Sequence, residues 1–145
     1  MLKRREALMA GAGMLSSAWF GEGIALAAEE PAPANTAQAA FLQAVNGCIG
    51  AGQTCLQHCL QMFAGGDTSL AKCAEAVNLM LAMCRATGTF VVSDSRYRAQ
   101  VIQLCTSVCG DCEHECRKHE KEHAICKACA DACATTVKSA MLLSS

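Results

Sequence analysis

Twelve cysteines follow Gly47, and within each segment of the chain neighbouring cysteines are separated by 3, 4, 7 or 11 residues. These are helical intervals. On a helix turning about 100° per residue, Cys48, Cys55 and Cys59 stay within about 40° of one another, as do Cys73 and Cys84. Cys105, Cys109, Cys112 and Cys116 fall within about 60°, and so do Cys126, Cys129 and Cys133. The sequence therefore predicts four helices, each with a stripe of sulfur along one face. A thiol can pack as a small hydrophobe, pair as a disulfide, act as a nucleophile or ligate a soft metal ion as thiolate.

The spacing discriminates among these uses. Packing explains one or two buried cysteines, not twelve aligned on facing stripes. Disulfides within a helix are disfavoured, because Cβ atoms four residues apart lie about 5 to 6 Å from each other, whereas a disulfide wants about 3.8 Å; bridges between helices stay open as an alternative. No cysteine, histidine and carboxylate triad is legible. The pairs Cys109-x2-Cys112 and Cys126-x2-Cys129 lack the βαβ surroundings of a thiol-disulfide oxidoreductase. The sequence reads as a metal-binding protein rather than an enzyme.

Charge narrows the choice of metal. Twelve buried thiolates need neutralising charge. Monovalent copper supplies it one for one, with bridging thiolates giving about one copper per sulfur, and soft sulfur ligands favour Cu(I) over harder ions. Zinc in four-thiolate sites neutralises only half of the charge. Cys126-x2-Cys129-x3-Cys133 shares spacing with part of a ferredoxin run, but no proline follows it, and stripes along straight helices suit a line of ions better than one compact cluster. A zinc or iron-sulfur bundle and a copper metallochaperone carrying one or two ions stay as alternatives.

The elements that must position these sulfurs follow from caps and breakers. Pro31 and Pro33 oppose helix, so residues 28–35 read as a linker. Helix 1 is expected from about Thr36 to Phe63, ended by Gly65-Gly66-Asp67. Thr68 or Ser69 is expected to cap helix 2, which reaches about Ala86 before a break over Gly88 to Ser93. Helix 3 is expected from Asp94 or Ser95 to about Lys118, and helix 4 from about Glu122 to Leu142. Gly47, Gly50 and Gly52 lie inside helix 1 at a cost of roughly 1 kcal/mol each, which reads either as a local irregularity of the helix or as room for another helix to pack closely. Short connections make the fold all-α, an antiparallel up-down-up-down four-helix bundle with a cysteine-lined core over residues 36–145.

That topology gathers Cys59, Cys73, Cys116 and Cys126 toward one end, and Cys48, Cys84, Cys105 and Cys133 toward the other. Past the second group the stripes continue as Phe41, Val101, Ile102, Val137 and Ala140, an apolar plug. Past the first they continue as Met62 and His119, with His58 and His123 flanking, which reads as a mouth. Met80 also points inward.

The first residues carry a different message. Lys3-Arg4-Arg5, an apolar stretch from Ala7 to Phe20 and the small-x-small run Ala25-Leu26-Ala27 read as a cleavable signal over residues 1–27. The paired arginines suggest the twin-arginine route and a periplasmic destination, with folding and any metal uptake preceding export. The apolar stretch is short for a membrane span, and none is expected in the mature chain. A formal net charge of −1 and the absence of a basic cluster beyond the leader exclude a nucleic-acid partner.

The mature region resembles the bacterial four-helix-bundle copper storage proteins. The resemblance rests on Cys55/Cys59, Cys105/Cys109, Cys112/Cys116 and Cys129/Cys133 as Cys-x3-Cys pairs, on Cys48, Cys73, Cys84 and Cys126, and on the twin-arginine-like leader. It implies multiple Cu(I) ions on the twelve cysteines, with His58, Met62 and His119 as candidates at the open end. It also implies a homotetramer and a copper-accepting partner protein.

Overall fold

The computed structural model describes residues 33–143, which form four α-helices: α1 Pro33–Ala64, α2 Ala71–Val92, α3 Arg98–Arg117 and α4 Ala124–Met141. The expected signal, its cleavage site and residues 28–32 of the expected linker lie outside the described residues. Among the described residues there is no strand. Each helix packs on its neighbours in sequence and α4 closes onto α1, while the diagonal helices stand further apart and meet only through side chains. Four short-linked helices in this cyclic order make the expected antiparallel bundle, and its axis is where the cysteine stripes converge.

The helix ends show which local signals governed. α1 begins at Pro33, before the expected Thr36, because proline is tolerated in a first helical turn, whose N–H groups have no partner within the helix. It stops at the anticipated place. Gly66 adopts φ 87°, and the N–H groups of Gly65 and Asp67 both return to the Met62 carbonyl, each at 3.0 Å. Neither Thr68 nor Ser69 caps α2. Asp67 Oδ1 instead accepts the Ser69 N–H at 2.9 Å, fixing the turn, and Leu70 occupies the cap position without a side-chain bond.

The largest correction concerns Gly88. α2 runs through it to Val92, because Thr87 and Val91 are buried on the core face, and that packing outweighs the roughly 1 kcal/mol propensity cost of a glycine. The stop comes at Asp94, in the left-handed region at φ 48°, where the Ser95 N–H bonds the Phe90 carbonyl. α3 consequently begins at Arg98, later than expected, and Arg98 donates to Asp94 and to Gln38 of α1, each at 3.1 Å. α4 begins at Ala124, after His123, where a start at about Glu122 was expected. No described helix is long and apolar enough to cross a membrane.

Candidate metal centre

All twelve cysteines are free thiols with no exposed surface, and every helix contributes at least two of them. Their alignment follows from the 3- and 4-residue spacing, which returns each sulfur to the face turned toward the axis. Cys84 Sγ lies 3.7 Å from Cys109 and 4.0 Å from Cys105. Cys48 Sγ lies 3.5 Å from Cys133, Cys73 Sγ lies 3.4 Å from Cys116, and Cys55 Sγ lies 3.9 Å from Cys73 and 4.0 Å from Cys126. Four sets bring three sulfurs within 4.8 Å of one another: Cys48/Cys84/Cys109, Cys112/Cys129/Cys133, Cys55/Cys116/Cys129 and Cys55/Cys59/Cys73.

These contacts chain together. Cys105 and Cys109 join through Cys84 and Cys48 to Cys133, then through Cys112 and Cys129 to Cys116 and Cys55, and finally to Cys73, Cys59 and Cys126. The arrangement is one sulfur path along the bundle axis rather than separated four-ligand sites. It reproduces both end groupings expected from the sequence.

Close thiols divide into hydrogen-bond donors and acceptors. The bond from Cys116 holds the Cys73 thiol down to about 3, and the bond from Cys109 does the same for Cys105, also to about 3. Cys129 is lowered by its bond with Cys112. Cys84, Cys116 and Cys133 are pushed upward, chiefly by their bonds with Cys105, Cys112 and Cys109 respectively. At the far end burial dominates, raising Cys59 to about 11 and Cys126 to about 12. Loading a metal therefore means exchanging shared protons for cations along the path, since only thiolate ligates.

The two ends differ. Beyond Cys105, Phe41, Val45, Val91 and Ala140 are buried, while Val101, Ile102 and Val137 are only half-buried, so the expected plug exists but rests on Phe41, Val45 and Val91. Thr136 is also buried there, and its hydroxyl donates to the Ala132 carbonyl at 3.0 Å and the Ala44 carbonyl at 3.2 Å, which ties α4 to α1. Among the described residues no buried side-chain nitrogen or oxygen is unpaired.

At the other end His58 Nε2 lies 3.0 Å from His123 Nδ1, one ring donating and the other accepting according to tautomer. The His119 ring stands 6.5 Å from that of His123. The three imidazoles and Met62 are half-buried. The stripe position of His119 thus belongs to a cluster whose closest contact is between the two flanking histidines. The end is also not bare, because Leu70 is completely buried next to the first turn of α2.

Sequence reasoning missed three parts of this arrangement. Leu70 lies beyond a glycine stop, where periodicity carries no signal. The pairing of His58 with His123 depends on the course of the 118–123 link. The third is which of the α1 glycines has a close neighbour: an added Cβ at Gly52 would come 2.5 Å from the Met80 methyl, whereas Gly47 and Gly50 meet nothing within 4 Å.

A donor set made entirely of buried sulfur suits soft ions, and its continuity suits many of them. The comparisons agree. The model of the copper storage protein family, Csp, matches residues 34–143. The uncharacterised cysteine-rich protein YhjQ of Bacillus subtilis strain 168 is 28% identical over 93 residues, which covers 64% of this chain and 82% of that protein. A cytosolic copper storage protein from Streptomyces lividans, solved during copper loading with five coppers, superposes with a TM-score of 0.69 at 27% identity, covering 76% of this chain and 94% of that one. Cu(I)-bound copper storage protein BsCsp3 gives a TM-score of 0.64 at 26% identity, covering 75% and 99%.

Proposed function

The chain belongs to the copper storage protein family, and from that membership we propose that it holds Cu(I) on its twelve cysteine thiolates, about one ion per sulfur. The observation that carries this is the unbroken path of fully buried free thiols. Cu(I) is cargo here, and no catalytic step is assigned. Each ion entering either displaces a proton from a thiol or neutralises a thiolate already formed, and twelve ions on twelve thiolates leave the loaded core without net charge. A low-polarity interior tolerates that exchange, because no uncompensated charge accumulates in it. Zinc at the same sulfurs leaves net negative charge, which disfavours it.

The half-buried histidines and Met62 support entry and exit at their end of the bundle, since imidazole and thioether are ligands for copper. The leader-like residues 1–27 support export by the twin-arginine route to the periplasm, with residues 36–145 acting as the storage domain. A homotetramer and a copper-accepting protein complete the reading.

Anaerobic titration of the reduced protein with Cu(I), against a chromophoric chelator, is the decisive test. Saturation near one ion per cysteine supports storage. Saturation at one or two ions points to a metallochaperone, and preference for zinc defeats the copper reading. Fractionation of cells lacking twin-arginine translocation tests the route, because protein still found outside the cytoplasm there removes it.

A further inference from the structure

The sulfur ladder on α2 has a gap. Cys73 and Cys84 are eleven residues apart, whereas gaps on the other three helices never exceed seven. Met80 stands in that gap, seven residues after Cys73 and four before Cys84, hence on the same stripe. Its side chain has no exposed surface, and its Sδ accepts a hydrogen bond from Cys48 Sγ at 3.3 Å. Cys48 is in turn the node that joins Cys84 and Cys109 to Cys133.

α1 is shaped to receive this side chain. Its own ladder is widest between Cys48 and Cys55, and Gly52 lies there on the stripe. A Cβ at Gly52 would stand 2.5 Å from the Met80 methyl and 3.0 Å from Leu81, so the methyl fills the space that glycine leaves, and a side chain there would make Met80 shift. Core filling alone does not require a sulfur aimed at a thiol, nor a missing side chain opposite it. Glycine inside a helix costs roughly 1 kcal/mol, which the bundle bears at this level.

We propose that Met80 is a thirteenth soft ligand, holding one Cu(I) jointly with Cys48. This rests on the copper reading above. Cys48 binds as thiolate, any proton it shares with its neighbouring thiols leaving to solvent as the ion enters, and both sulfurs turn their lone pairs to the metal. Two sulfurs bound to one ion at about 2.3 Å each, the distance found for zinc thiolates, stand at most about 4.6 Å apart. The observed 3.3 Å lies inside that span. Because a thioether is neutral, Met80 adds affinity and not capacity: the number of ions still follows the thiolates. Met80 bridges a stretch of the path where α2 has no thiolate to offer.

The test uses the full chain. In a competition titration with graded chelator, wild type and Met80→Leu should fill to the same total, with one ion of the variant held roughly ten- to a hundredfold more weakly. Leucine conserves volume and costs under about 1.5 kcal/mol of stability, so the variant folds. Met80→Cys should take up one more ion than wild type, as a new thiolate. Direct evidence comes from selenium-edge X-ray absorption on selenomethionine-labelled, copper-loaded protein. A selenium–copper shell should persist in Met62→Leu and vanish in the Met62→Leu, Met80→Leu double variant. Absence of that shell in Met62→Leu, or identical chelator curves for wild type and Met80→Leu, overturns the assignment while leaving storage intact. Wild type that binds no Cu(I) overturns both.

Discussion

The two ends of this bundle are built from the same four helices and enclose the same sulfur path, yet they finish it in opposite ways. One closes with Phe41, Val45 and Val91, buried to the last atom or nearly so, and with a threonine whose hydroxyl is spent on carbonyls of α4 and α1. The other closes with Leu70 and a half-buried group of His58, His119 and His123 joined by one short imidazole contact. The first holds the helices together and offers no ligand. The second offers ligands and little packing. The proposed function places traffic at the second end and stability at the first, so each should be open to perturbation without the other.

The largest expected effect is on stability. Phe41→Ala should cost about 3–5 kcal/mol in urea unfolding of the metal-free protein and leave the rate of copper loading unchanged. Faster loading in that variant would break the distinction, because it would make the apolar end a second entrance. Next comes capacity. Replacing Cys55, Cys59 and Cys73 with alanine should remove about three ions, and replacing Cys84, Cys105 and Cys109 should remove about as many, but only the first set should also slow loading. Equal loading rates in the two variants would mean that entry has no preferred end.

Proton linkage gives a smaller effect with a definite sign. Cys59 and Cys126 are raised to about 11 and about 12 from an ordinary value near 9.0, so the folded state favours their neutral forms. Their contribution is complete below pH 9 and is lost as pH rises toward 12. The metal-free protein should therefore lose stability on going from pH 9 to pH 11, and Cys59→Ala should flatten that loss. A stability profile that is level over this range would show that these thiols are better solvated than their burial implies.

Exchanging His58 and His123 for alanine should change loading and release rates severalfold while leaving saturation capacity and folding stability nearly untouched, as stopped-flow transfer to a chelator would show. The smallest effect belongs to the surface. Arg117 bonds Glu113 at 3.1 Å, Glu120 at 3.0 Å and Asp131 at 2.7 Å, the last spanning α3 and α4 near the histidine end. Arg117→Ala should cost less than about 1 kcal/mol, vanishing at high salt.

Legibility in the sequence tracked the kind of interaction involved. The helical intervals between cysteines disclosed the stripes, and with short links they disclosed the bundle and the order of sulfurs along it. Gly66 ended α1 as a local signal should, because positive φ is a property of the residue itself. Gly88 misled for the complementary reason: its cost is local, whereas the burial of Thr87 and Val91 that outweighs it comes from other helices. Leu70 and the His58–His123 contact depend on where links run, which periodicity does not encode. Met80 was legible as inward-facing, but its neighbour on the adjacent helix was not, since only folding brings Gly52 against it.

The complete burial of all twelve thiols has a consequence for their chemistry with reagents in solution. An alkylating agent meets no sulfur on the closed molecule, so each modification must wait for helices to part. The rate of labelling then measures how often the bundle opens, and the intrinsic reactivity of any one cysteine drops out whenever opening is the slow step. Read position by position, the twelve cysteines become clocks distributed along the axis, reporting which end of the metal-free bundle breathes first.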